Sequence, residues 1–117
     1  MPDFALAMAV HTHPSGATVL TVTGELDYHT APRLSRMVEG LPLTAVVPLV
    51  LDVGGLSFCD SIGVSALISG YQRATAASAP FAVAGAGRDL AQILQITGID
   101  RIFGLYESVD QAVAALG

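Results

Sequence analysis

An α/β domain, with a mixed and mostly parallel sheet of about five strands and flanking helices, is what this sequence predicts. Three observations carry that expectation. β-branched runs alternate with stretches of helical apolar spacing; a His-Pro-Ser-Gly turn signal joins the first two strand-like segments; and Val46 to Val53 is almost unbroken in apolar residues, as a strand covered on both faces requires. The 117 residues suit one domain, taken as residues 1–117. A chain of this length buries roughly two-thirds of the surface it exposes when unfolded. Its 52% hydrophobic content supplies that core and argues against disorder.

Phe4 to Val10 alternates large and small apolar residues, the period of a strand, and His13-Pro14-Ser15-Gly16 turns the chain back. Ala17 to Thr23 is rich in β-branched residues and reads as the hairpin partner. Thr30 is placed as an N-cap with Pro32 in the first turn, and Leu34, Met37, Val38 and Leu41 follow at helical spacing. Val46 to Val53 comes next, with Pro48 assigned near its start because proline cannot donate to a ladder. Ser61 opens a helix whose Val64, Leu67, Ile68 and Tyr71 fall on one stripe. A strand at Pro80–Ala84, a helix at Leu90–Ile96, a strand at Ile102–Tyr106 and a helix at Val109–Leu116 complete the order.

Composition excludes several classes. Net charge is −5 and the five basic residues are dispersed arginines, whereas a surface that tracks nucleic-acid phosphates needs clustered Lys and Arg. The most apolar stretch, Leu41 to Val53, is interrupted by Pro42, Thr44, Pro48 and Asp52 and falls short of the ~20 residues of a bilayer crossing. Met1-Pro2-Asp3-Phe4 lacks the basic start of a secretory signal, so a cytoplasmic protein is expected. Cys59 is alone and closes no internal disulfide, and no His/Cys group has metal-site spacing; neither cofactor nor metal is expected.

Candidate nucleophiles are Ser57, Ser61, Ser65 and Cys59, and the imidazoles are His11, His13 and His29; no Gly-x-Ser-x-Gly elbow surrounds any of the serines. A hydrolase using Ser61 or Ser57 would need His29 within reach. Gly85-Ala86-Gly87 sits between a strand and a helix, yet Leu90 stands where a dinucleotide loop wants its third glycine, so a tight turn is the better reading. Two acidic segments remain, Gly24 to Thr30 and Leu56 to Gly63. Both follow strands expected to be parallel neighbours, so both project from the carboxyl edge of the sheet, where open α/β sheets place binding sites. Asp60-Ser61 ahead of an apolar stripe reads first as a helix cap, as does Asp27 before the helix near Thr30. With Ser61 in that role, its change to alanine would cost about 1 kcal/mol.

These pieces carry a family resemblance. Leu20-Thr21-Val22-Thr23-Gly24-Glu25-Leu26-Asp27, then Leu49 to Val53, then Leu56-Ser57-Phe58-Cys59-Asp60-Ser61-Ile62-Gly63-Val64, resemble a STAS domain of the bacterial anti-sigma factor antagonist type. The resemblance implies a binding protein, not an enzyme, whose phosphorylation site is the serine directly after the aspartate, here Ser61. It implies that the unphosphorylated form binds an anti-sigma factor that is also a serine kinase, freeing a sigma factor in a stress response or sporulation programme. A serine phosphatase would restore the phosphorylated form. Partner contacts are then expected from Glu25, Asp27, Asp60, Ser61, Ile62 and Gly63. Gly63 has two readings: access for the kinase, or packing against the neighbouring strand. Ile62 stands where a second hydroxyl is frequent, and Gly54-Gly55 replaces more polar residues. The alternative within the family is a scaffold or transport-complex subunit indifferent to phosphorylation.

Overall fold

Residues 5–116 are described in the computed structural model. β1 (Leu6–Thr12) and β2 (Thr18–Leu26) pair antiparallel, and their turn closes with His13 N donating to the Ala17 carbonyl at 2.8 Å. There follow α1 (Ala31–Glu39), β3 (Leu49–Cys59), α2 (Ser61–Ala76), β4 (Phe81–Ala84), α3 (Arg88–Ile96), a 3₁₀ turn at Ile99–Arg101, β5 (Gly104–Tyr106) and α4 (Val109–Leu116). Strand order equals chain order, and every pair after the first is parallel. The expected mixed, mostly parallel sheet is therefore present.

Right-handed crossovers that step in one direction put their helices on one face. Leu34 and Val38 of α1, Val64 and Leu67 of α2, and Leu90 and Leu94 of α3 accordingly share one core with Leu20, Leu51 and Val83. On the other face Ala112 of α4 packs against Val19, Val50 and Ala84. β3 is thus covered on both sides, as its unbroken apolar run required. Tyr71, Phe81 and Phe103 lock α2 to the far half of the sheet, with ring centroids 5.3–5.9 Å apart.

The strand ends differ from expectation in a way that shapes the site. β1 starts at Leu6 and runs on to Thr12, while Phe4 lies outside the described residues. β3 starts only at Leu49; Val46 to Pro48 lie outside it, and the Pro48 carbonyl accepts from Thr18 N at 2.9 Å. β5 shortens to Gly104–Tyr106 because Gly98, at φ 79°, turns the chain into the 3₁₀ segment that ends beside Ile102. Most consequentially, β2 and β3 extend through what read as acidic loops, to Leu26 and Cys59. Glycine makes this possible. A side chain on Gly55 would strike Thr23, and one on Gly24 (φ +100°) would strike the Ala5 carbonyl, so only glycine lets the neighbouring strands approach there. Register shifts between Thr21 and Thr23 and between Gly24 and Glu25 mark where the ladder adjusts.

Candidate functional site

At the carboxyl end of β3 the backbone of Asp60 stays extended (φ −91°, ψ −175°), which lets its carboxylate fold over the first turn of α2. Oδ1 accepts from Gly63 N at 2.8 Å, so Asp60, not Ser61, is the helix cap. Ser61 is instead the first helical residue. Ser61→Ala therefore removes no cap bond, and the cost of about 1 kcal/mol expected for it does not apply. Asp60 also accepts from Tyr28 N through Oδ2 at 3.2 Å, and its own N–H donates to the Leu26 carbonyl at 3.2 Å. One aspartate therefore caps α2 and ties the two acidic segments together.

The Glu25–Thr30 segment is held by a different device. Thr30 stands at the N-cap position of α1, but its backbone is already helical (φ −97°, ψ −21°) and its side chain makes no cap bond. Its hydroxyl donates to the Glu25 carbonyl at 2.8 Å and accepts from Asp27 N at 3.0 Å, and the residue is fully buried. Asp27 Oδ1 accepts from His29 N at 2.9 Å and Thr30 N at 3.0 Å, an aspartate turn that leads into the helix. The Thr30 N–H bond, followed by those of His29 and the Thr30 hydroxyl, holds the Asp27 pKa below the ordinary aspartate value of 3.8 against partial desolvation.

What these devices leave exposed is the side chain of Ser61. Its hydroxyl enters no hydrogen bond among the described residues, and Gly63 N is the first-turn donor that Asp60 consumes. In the same two acidic segments Ile62 is 48% exposed, Phe58 52% and Tyr28 74%, the last with its N–H on the Asp60 carboxylate. Glu25 is exposed and pairs in register with Phe58. Gly63 is buried, and a side chain there would strike the Leu26 carbonyl and Cys59 Sγ; the packing reading of this glycine is the one the geometry supports. Sequence reading missed Tyr28 and Phe58. Both aromatic rings lie within the acidic segments themselves, and an aromatic beside acidic residues at a sheet edge was the available signal.

The other candidate nucleophiles are occupied. Ser57 Oγ donates to the Gly24 carbonyl at 3.2 Å and Ser65 Oγ to the Ser61 carbonyl at 3.1 Å. Burial, and then the charge of Asp60, push the Cys59 thiol up to about 11, so it stays protonated at neutral pH. The His29 ring lies edge-on to Tyr28, centroids 6.4 Å apart, and among the described residues it bonds to no serine. A Ser-His-Asp row does occur at the other end of β2: His13 Nδ1 lies 2.9 Å from Ser15 Oγ and Nε2 2.8 Å from Asp110 Oδ1. Ser15 N shares Nδ1 at 3.1 Å, and the row ties the hairpin turn to α4. At the carboxyl edge of the sheet, a cleft of about 350 Å³ opens between the end of β3 and α3, walled by Leu56, Phe58, Cys59, Arg88 and Ile93. Among the described residues no three His, Cys, Asp or Glu side chains gather as metal ligands, and no helix is long and apolar enough to cross a membrane.

A five-stranded sheet in this order, with an Asp-Ser step opening the helix after its central strand, defines a class. The STAS domain family model matches residues 8–112, and the chain belongs to that family. Within it, the chain is similar to anti-sigma factor antagonists. It is 25% identical over 105 residues to the anti-sigma F factor antagonist of Paenibacillus polymyxa, covering 89% of this chain and 90% of that one. It is 25% identical over 115 residues to an anti-sigma-F factor antagonist of Mycobacterium tuberculosis, covering 98% and 92%. The crystal structure of an anti-sigma factor antagonist from Mycobacterium paratuberculosis superposes with a TM-score of 0.80 at 30% identity, covering 99% of this chain and 97% of that one.

Proposed function

We propose that this chain is an anti-sigma factor antagonist whose affinity for its partner is switched off by phosphorylation of Ser61. The partner is an anti-sigma factor that is itself a serine kinase; binding it frees a sigma factor, and a serine phosphatase resets the switch. The chain acts in the cytoplasm by binding, not by catalysis. The observation that carries this reading is the division of labour at the start of α2: Asp60 does the capping, and the Ser61 hydroxyl stands exposed and unengaged.

Phosphorylation adds about −1.5 to −2 charges at neutral pH. At the first position of a 16-residue helix that charge meets the positive end of the dipole, so the fold tolerates it. The partner does not. The docking face is acidic at Glu25 and Asp27 and apolar at Tyr28, Phe58 and Ile62, which suits a partner that is basic beside an apolar patch. A phosphate set into such a contact brings like charges together at a cost of several kcal/mol. A loss of about 3 kcal/mol already weakens binding roughly a hundredfold. Gly63 serves this face from beneath, by letting α2 start against Leu26.

Mass spectrometry after incubation with the kinase and ATP, paired with pull-down of both forms, tests the reading. One phosphate on Ser61 with binding lost supports it. Phosphate on Ser57 or Ser65, or binding indifferent to phosphate, overturns it in favour of a constitutive scaffold.

A further inference from the structure

The sheet's two edges are finished differently. β5 is three residues long, which gives little template for another strand. β1 is seven residues, Leu6-Ala7-Met8-Ala9-Val10-His11-Thr12, paired one-for-one with β2. Edge strands are ordinarily shielded by charge, proline, a bulge or brevity. β1 has no Lys, Arg, Asp, Glu or Pro, no bulge, and Ala9 to Thr12 are exposed.

The register fixes which backbone groups face outward. Glu25 N donates to the Ala5 carbonyl and His13 N to the Ala17 carbonyl, so residues 5 and 13 sit in hydrogen-bonded pairs. Such pairs alternate along an antiparallel ladder. Ala7, Ala9 and His11 therefore turn their amides toward β2, while Leu6, Met8, Val10 and Thr12 turn theirs away. Arg33 bears this parity out: from α1 its Nη1 donates to the Leu6 carbonyl at 2.8 Å, on the outer side of the strand. Among the described residues, Met8, Val10 and Thr12 are left presenting unpaired backbone groups at the open edge.

We propose that β1 is an interface for a second copy of this chain, the two β1 strands pairing antiparallel across a twofold axis at Val10. In this register Val10 of one copy bonds Val10 of the other, and Met8 bonds Thr12 in both directions. The next outward pair sets Leu6 against Pro14, and there both sides have already withdrawn: Pro14 has no N–H and Arg33 holds the Leu6 carbonyl. An axis at Ala9 would instead aim the Thr12 N–H at that occupied carbonyl. This twofold axis sets Val10 against its own copy and Met8 against Thr12, so the strand meets only its own side chains and must carry no like charges across the axis. A strand without charges meets that condition even in a chain of net charge −5, and an isologous contact of this kind closes at two. Val10, 46% exposed in the single chain, gains an apolar neighbour whose Cα lies about 5.5 Å away. The two sheets run in opposite directions, so the two Ser61 faces point away from each other and stay accessible. The interface is thus independent of the switch.

Sedimentation of the full chain at concentrations up to about 1 mM tests this. The wild type forms a dimer; Val10→Lys is monomeric and melts with the wild type at dilutions where both are monomeric; and an equimolar mixture of Val10→Lys and Val10→Glu recovers a mixed dimer, because opposite charges now face across the axis. A wild-type monomer at the top of the range overturns the proposal, as does a dimer that persists in both single variants. Should a charge disturb the strand, Val10→Cys decides. Its paired Cα atoms fall within the 4.4–6.8 Å span of a disulfide, so oxidation links the copies, whereas Ala7→Cys, set opposite residue 13, does not link. Failure of Val10→Cys to link overturns the proposal equally.

Discussion

The two acidic segments at the carboxyl edge look alike in sequence, each an aspartate followed by a hydroxyl residue and a helix, yet they are built on opposite plans. In one, Asp60 directly precedes the helix and stays extended, so its carboxylate takes the Gly63 N–H and the adjacent Ser61 is left exposed. In the other, Asp27 lies further upstream, its carboxylate closes a turn, and the hydroxyl of Thr30 is fully buried between the Glu25 carbonyl and the Asp27 amide. The spacing between aspartate and hydroxyl therefore decides which hydroxyl is structural and which is available to chemistry. Thr30 stabilises the edge from within, and the Ser61 hydroxyl stays exposed because Asp60 does the capping; this is the hydroxyl on which the proposed switch rests.

Substitutions at the two hydroxyls break or sharpen this contrast. The largest expected effect is on binding: Ser61→Asp lowers partner affinity roughly a hundredfold, about 3 kcal/mol by calorimetry, with the thermal midpoint nearly unchanged. Unfolding of that variant would put Ser61 in the same structural class as Thr30. Next is Thr30→Val, which keeps shape and removes the hydroxyl, leaving the Glu25 carbonyl and Asp27 N–H without their buried partner. Chemical denaturation should show a loss of about 1–3 kcal/mol. Asp60→Ala removes both the cap and the Tyr28 link and should cost about 1–2 kcal/mol in the same measurement. Ser61→Ala should stay within about 0.5 kcal/mol of wild type, as surface changes do, while abolishing phosphate incorporation.

The alternation of elements was legible because each core face repeats a period: Leu34, Met37 and Val38 on α1, and Val64, Leu67, Ile68 and Tyr71 on α2, all pack on the main core. The ends of β2 and β3 were not legible. Gly24 and Gly55 read as loop residues, and only the approach of Ala5 and Thr23 reveals that glycine there prolongs the strands. At the site, Asp60-Ser61 pointed to a cap but not to which residue provides it, since that depends on whether Asp60 is extended or helical. Thr30 misled for the converse reason: its type suits a cap, but its helical backbone turns the hydroxyl back into the loop. The Asp60–Tyr28 bond spans 32 positions in sequence and carries no local signal.

The subtlest test separates charge from shape in the Asp27 turn. Its carboxyl is held below 3.8 by the Thr30 and His29 N–H donors, so the folded state prefers the ionised form more than the unfolded chain does. The stability this supplies is fully present above the unfolded value and is lost as pH falls through the lower folded value. Asp27→Asn keeps an oxygen able to accept the same two N–H bonds but carries no charge. The wild-type advantage in melting temperature over Asp27→Asn should therefore be constant above about pH 5 and shrink steadily below the ordinary aspartate range. An advantage that stays flat down to strongly acid pH would mean the turn is held by shape alone. The negative charge of Asp27 would then stand free for the partner and contribute nothing to its own loop.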